Sequence, residues 1–177
     1  MLPVKKRLFS FFLALILICS VCFATTLSAL AASNDNDYKN ELWMMLGQNH
    51  FMARGVAYTS AGAPFSPADA QDTAYLPLDA VAKYAGATVR EEGDERIVTR
   101  GTDEYRLTVG STVWKKNGEE QPPFLKEVYR ADGVTYVSIL SACSLFGYRS
   151  YFDRDIGLVV LSAQAISYKT NDKTSLA

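Results

Sequence analysis

The stretch Tyr75 to Val98, YLPLDAVAKYAGATVREEGDERIV, lies without a gap over Tyr136 to Val159, YVSILSACSLFGYRSYFDRDIGLV. Tyr75 meets Tyr136, Leu78 meets Ile139, Gly86 meets Gly147, and Ile97-Val98 meet Leu158-Val159. A second block upstream repeats in the same way. LGQNHFMARGVA (46–57) matches VGSTVWKKNGEE (109–120), with Gly47 over Gly110, Phe51 over Trp114 and Gly55 over Gly118. The offset is 63 in this block and 61 in the other. Matches that fall on glycines, aromatics and the apolar frame are the mark of a repeated fold whose surface has drifted.

Each unit parses alike. In the second, STVWKKNGEE reads as a hairpin turning at Asn117-Gly118, because both residue types accept positive φ. EVYRADGVTYVS is a further hairpin, turning at Asp132-Gly133. Ser138 to Phe146 carries Ile139, Leu140, Ala142, Cys143 and Phe146 at helical spacing, with Gly147 as the stop. Two strands around an Asp-Gly-bearing turn close the unit. The first copy matches, with Pro77 near the first helical turn, a helix over Leu78 to Ala85, Gly86 as its stop and the hairpin ATVREEGDERIVTR. Tyr58 to Thr73, rich in Ala, Pro and Ser, reads as a surface loop. The expected class is α+β: twisted antiparallel β-sheet units, each with one short helix on its apolar face, duplicated in tandem.

Outside the repeats, Lys5, Lys6 and Arg7 precede an uncharged run from Leu8 to Ala24 and then a small-residue stretch. That order is signal-peptide grammar, and Ala29 and Ala31 place cleavage after Ala31 or Ala32. A retained anchor is the alternative, since the apolar run is just short of the ~18–20 residues of a spanning helix. The expected organisation is a signal peptide over 1–32, a polar linker over 33–41, and a domain over 42–162 with repeats at about 42–100 and 105–162. A flexible tail follows over 163–177. Cys19 and Cys22 lie in the hydrophobic run, so Cys143 is the only cysteine of the mature chain and no intramolecular disulfide can form there.

Of 18 basic and 19 acidic residues, removal of Lys5, Lys6 and Arg7 leaves a mature net charge of −4. Without basic clusters, such a chain is a poor partner for nucleic acid or anionic lipid. Contact with a membrane is then expected only through an uncleaved signal segment.

The hairpin, then YLPLDAVAKYAGATV running into a strand pair, then the whole again, resembles the copper amine oxidase-like N-terminal domain. That family is common in secreted and cell-wall proteins of Gram-positive bacteria, often as tandem copies. The resemblance covers about residues 42 to 162 and is clearest at Tyr75-Leu76-Pro77-Leu78 with Gly86-Ala87. Ser138 stands where the family prefers proline, and Asp79 where arginine is usual. The resemblance implies a peripheral stalk rather than a catalytic centre, and no catalytic, cofactor or metal residues carry over. Amine oxidation would need a histidine cluster for copper and a modifiable tyrosine between asparagine and an acid; the chain has one histidine, His50, and no such tripeptide.

The remaining candidates have plainer readings. His50 lacks partners at metal-ligand spacing. Asp153, Asp155 and Gly157 echo the start of a calcium loop, but strand-like LVVLS follows directly, which favours a hairpin turn. Glu91, Glu92, Asp94 and Glu95 form an acidic tip around Gly93, read as a solvated turn. Cys143 sits on an apolar helical stripe as a small hydrophobe. Most of Trp114, Tyr129, Tyr136, Tyr148, Tyr151 and Phe152 belong in a core, and Trp114, Tyr148 and Tyr151 are the candidate ligand-binding aromatics. The expected function is a secreted, non-catalytic, cofactor-free interaction or scaffold domain of the cell envelope, with a cell-wall glycan, an envelope protein or a second copy as partner. The alternatives are a carbohydrate- or peptidoglycan-binding module, or a small hydrolase with an unrecognised site.

Overall fold

The computed structural model describes residues 40–68 and 73–164, all within the unit Tyr38–Ala177. The signal-peptide reading, most of the linker and nearly all of the tail lie outside the described residues. Among the described residues, thirteen strands and two helices follow in chain order. The first half holds β1 (Glu41–Met45), β2 (His50–Ala53), β3 (Val56–Thr59), β4 (Tyr75–Pro77), α1 (Leu78–Ala85), β5 (Thr88–Glu92) and β6 (Glu95–Arg100). The second holds β7 (Asp103–Thr108), β8 (Trp114–Lys116), β9 (Glu119–Glu120), β10 (Tyr129–Ala131), β11 (Val134–Ser138), α2 (Ile139–Phe146), β12 (Arg149–Asp153) and β13 (Leu158–Ser162).

Local chemistry accounts for the elements. Arg54-Gly55, Asn117-Gly118 and Asp132-Gly133 all carry positive φ and turn the hairpins β2–β3, β8–β9 and β10–β11. Both helices stop at a left-handed glycine, Gly86 at φ 68° and Gly147 at φ 71°. Ser138 is the N-cap of α2 rather than its first residue, its Oγ accepting from the Ser141 amide at 3.1 Å. Pro77 holds the equivalent place before α1 and offers no side-chain cap.

The strands form three antiparallel sheets, ordered β12-β13-β1-β2-β3, β10-β11-β4 and β5-β6-β7-β8-β9. Neither five-stranded sheet belongs to one half of the chain. The hairpin after α1 is completed by the meander β7–β9, and the hairpin after α2 by the meander β1–β3. Registers agree: Thr99 faces Glu104 in one sheet as Ser162 faces Glu41 in the other. In the small sheet Leu76 faces Val137, flanked by Tyr75 opposite Ser138 and Pro77 opposite Tyr136.

The registers also correct the gap-free superposition of 75–98 on 136–159. The β5–β6 turn holds only Gly93 and Asp94, whereas the β12–β13 turn spans Arg154 to Gly157. Beyond the turn, Ile97 and Val98 therefore correspond to Val160 and Leu161, not to Leu158 and Val159. A two-residue slip preserves which face each side chain occupies, so the apolar pattern could not reveal it.

One core runs through the assembly. Leu78, Val81 and Tyr84 of α1 and Ile139, Ala142 and Leu145 of α2 meet Leu42, Met44, Leu76, Val98, Leu107, Val137, Val159 and Leu161. Among them Tyr84 is a buried tyrosine whose hydroxyl donates to the Asn40 carbonyl. Burial, with Tyr148 beside it, pushes that hydroxyl up from 10.0 to about 12. A tyrosine raised on folding is stable protonated, and the unfolded chain ionises first. Stability is expected to be lost as pH rises from about 10 toward 12. Tyr84→Phe should flatten this slope in denaturant melts taken across that range.

The segment after β3 is more than surface loop. Phe65 pairs with Tyr75 as an isolated bridge and stacks on its ring at 5.4 Å, with Tyr136 and Tyr129 edge-on. Gly62 passes so close to Tyr136 that a Cβ there would stand 2.2 Å from the phenolic oxygen. Gly62→Ala is expected to cost about 1–3 kcal/mol by overpacking. Tyr136→Phe in the same chain should recover most of it, measured by urea unfolding in a double-mutant cycle.

Candidate functional site

A cavity of 230 Å³ opens where the N-terminus of α1, the strand β5 and the β10–β11 turn converge. Leu78, Val89 and Val134 supply apolar lining, and Asp79, Glu91 and Thr135 supply polar lining, with Ala61 and Gly133 at the rim. Asp79 is held in place as its Oδ2 accepts from the Ala61 amide at 2.9 Å. Glu91 lies between two guanidinium groups, 3.3 Å from Arg96 Nε and 3.7 Å from Arg130 Nη2.

Arg96 is the most unusual residue at this place. It is 0 % exposed, on β6 directly opposite Leu107. Its counterpart in the other large sheet, opposite Met44, is the buried Val159. Nε donates to Thr135 Oγ1 at 2.8 Å, and Nη1 donates to the carbonyls of Gly93 and Glu95 at 2.8 and 2.9 Å. Nη2 is buried with no hydrogen-bond partner. Arg96 itself does not line the cavity; its neighbours Thr135 and Glu91 do. In the sequence Arg96 directly follows the acidic tip 91–95, which reads as solvated. The signal lay in period two: Arg96 shares a strand face with core Val98.

Removing the partner of a buried charge costs more than removing the charge itself. Thr135→Val is therefore expected to destabilise by about 1–3 kcal/mol, since Nε loses its closest acceptor. Arg96→Met is expected to be near neutral, and paired urea melts of the two variants check the ordering.

The three candidate aromatics fall in different settings. Trp114 is 6 % exposed, stacked on Phe124 at 5.1 Å and 6°, its indole N–H donating to the Pro122 carbonyl. Tyr148 is 8 % exposed between Tyr84 and Phe146. Neither offers an open ring face. Tyr151 is half-buried on the edge strand β12, its hydroxyl donating to Asp153. None of the three lines the cavity.

His50 is exposed and hydrogen-bonds Thr59 across the β2–β3 pair. Asp153 Oδ1 accepts from the amides of Asp155 and Ile156, so its carboxylate serves the turn. Burial pushes the half-buried Cys143 thiol up, away from the reactive thiolate. Among the described residues no group of three or more His, Cys, Asp or Glu is placed to hold a metal ion, and no helix is long and apolar enough to cross a membrane.

Fold and site together define, over the described residues, an antiparallel α+β domain with two short helices and a small cavity whose charged lining residues are Asp79 and Glu91. The family model of the copper amine oxidase N-terminal domain matches residues 52–161, from within β2 to within β13, and the chain belongs to that family. In the oxidases that domain is non-catalytic. No curated protein and no solved structure matches the chain.

Proposed function

We propose that this protein is a secreted, non-catalytic interaction or scaffold domain of the cell envelope, built from two copies of one strand-and-helix unit. The observation that carries the reading is membership of a stalk-like domain family. The dispersal of the chemistry-bearing side chains supports it: His50, Cys143 and Asp153 lie on separate elements, each engaged locally or packed. The basic, apolar and small-residue order at the N-terminus supports export. The equal strand orders of the two five-stranded sheets support the two copies. The purified chain, immobilised and exposed to envelope extract, should retain a glycan or a protein. A monomer that retains neither sinks the reading. N-terminal sequencing of the exported product tests cleavage after Ala31 or Ala32.

A carbohydrate-binding role is the second reading, and the small cavity with apolar Leu78, Val89 and Val134 beside polar Asp79, Glu91 and Thr135 is the observation that favours it over a purely protein-binding surface.

A further inference from the structure

We propose that β3 is a docking edge at which two copies of this chain pair antiparallel through Ala57 and Thr59, joining their β12-β13-β1-β2-β3 sheets into one across a two-fold axis. This names a partner for the interaction or scaffold reading above and rests on it.

Hydrogen bonding decides which groups are open. The Ser60 amide donates to the Asn49 carbonyl at 2.9 Å, which makes Asn49 and Ser60 a hydrogen-bonded pair beside the β2–β3 ladder. Such pairs alternate along antiparallel strands, so Tyr58 and Val56 also bond to β2, while the N–H and C=O groups of Ala57 and Thr59 point outward. β3 ends the sheet on that side, and among the described residues no hydrogen bond outside the ladder reaches these groups. Val56, Ala57 and Thr59 are all exposed, Val56 to 51 %.

Composition singles out this edge. Sheet edges are ordinarily kept from pairing by charges, prolines or cover. The edge strands β5, β9, β10 and β12 all carry charged side chains, and β4 ends in Pro77 and is bridged by Phe65. β3, Val-Ala-Tyr-Thr, has none of these guards. The register then favours a second copy as the occupant. With Tyr58 on the axis, Ala57 of each copy faces Thr59 of the other, and the outward groups close into hydrogen-bonded pairs with none left over. Tyr58 lies opposite its own counterpart, where side chains approach most closely, and the exposed Val56 reaches that ring diagonally. β3 carries no charge, so no like charges meet within the paired strands.

The experiment follows the purified chain by sedimentation velocity as its concentration is raised, with amide hydrogen exchange measured in dilute and concentrated samples. The paired edge is short, so a weak dimer is expected, with a dissociation constant on the order of 0.1 mM. Exchange at Ala57 and Thr59 should slow as the dimer forms, while Val56 and Tyr58, already bonded to β2, stay unchanged. Ala57→Pro removes one outward N–H, which an edge strand tolerates, and Ala57→Lys adds an edge charge. Each should weaken dimerisation roughly tenfold or more and leave the urea melt of the dilute protein in place, the lysine variant carrying the test where proline disturbs β3. A chain that stays monomeric at millimolar concentration, dimers that survive both substitutions, or exchange that slows elsewhere but not at Ala57 and Thr59 would overturn the proposal. Dimerisation through β3 in a protein that retains nothing from envelope extract would leave this edge standing and remove only the envelope role. Capture of an envelope protein by a chain that never dimerises would do the reverse.

Discussion

Chains comprising only residues 42–100 or only 105–162 are expected to be unfolded, although each spans one of the two units that the sequence pattern suggests. In the first, β1–β3 has lost β13 and β5–β6 has lost β7; in the second, β12–β13 has lost β1 and β7–β9 has lost β6. What remains in each is a two-stranded hairpin, a three-stranded meander and one helix, separated from the other half's share of the common core, and the hairpin is marginal in water without its third strand. The loss amounts to the whole stability of the domain, about 5–15 kcal/mol.

A circular permutant should behave in the opposite way. Glu41 already faces Ser162, as Glu104 faces Thr99 across the tight Gly101-Thr102 turn. Joining Ala163 to Asn40 through a Gly-Thr linker and opening the chain between Gly101 and Thr102 keeps every strand neighbour. The permutant is expected to fold cooperatively. Circular dichroism, amide dispersion and urea melts of the three chains decide the matter, and a half-chain with a cooperative melt would refute the interleaved arrangement.

Trp114→Ala is the second change with a large expected effect, a loss of about 3–5 kcal/mol in urea unfolding. The indole is closed in by Phe124 on its face and Tyr105 6.4 Å away, and its N–H donates to Pro122 at 2.9 Å. Truncation opens a cavity and also strips the contact that ties the Pro122–Phe124 segment to β8. A ligand-stacking tryptophan would behave differently, leaving the melt in place and removing binding. The same measurement separates the two roles.

The aromatic residues show where the linear chain was an incomplete guide. Trp114 and Tyr148 have the residue type of a glycan platform, yet nothing local to either says which neighbour covers it. Phe124 is ten positions from Trp114, and Tyr84 lies in the other half of the chain from Tyr148. Arg96 presents the converse case. An arginine near a hairpin tip reads as solvated, and only the arrival of Thr135 and Leu107 seals it. The cavity was equally invisible, because its walls come from three separate stretches of sequence.

By itself the sequence determined what depends on near neighbours: the α+β class, both helices with Gly86 and Gly147 as stops, and the turns at Asn117-Gly118 and Asp132-Gly133. These follow from backbone freedom and side-chain period, which act within a few residues. Only the tertiary structure decided that each hairpin is completed by the other half's meander, that the second hairpin is two residues longer, and that Arg96 lies buried against Thr135 and Glu91. Strand partners are chosen by contacts between residues far apart in the chain, and period two constrains the face of a strand but not its neighbour or its register.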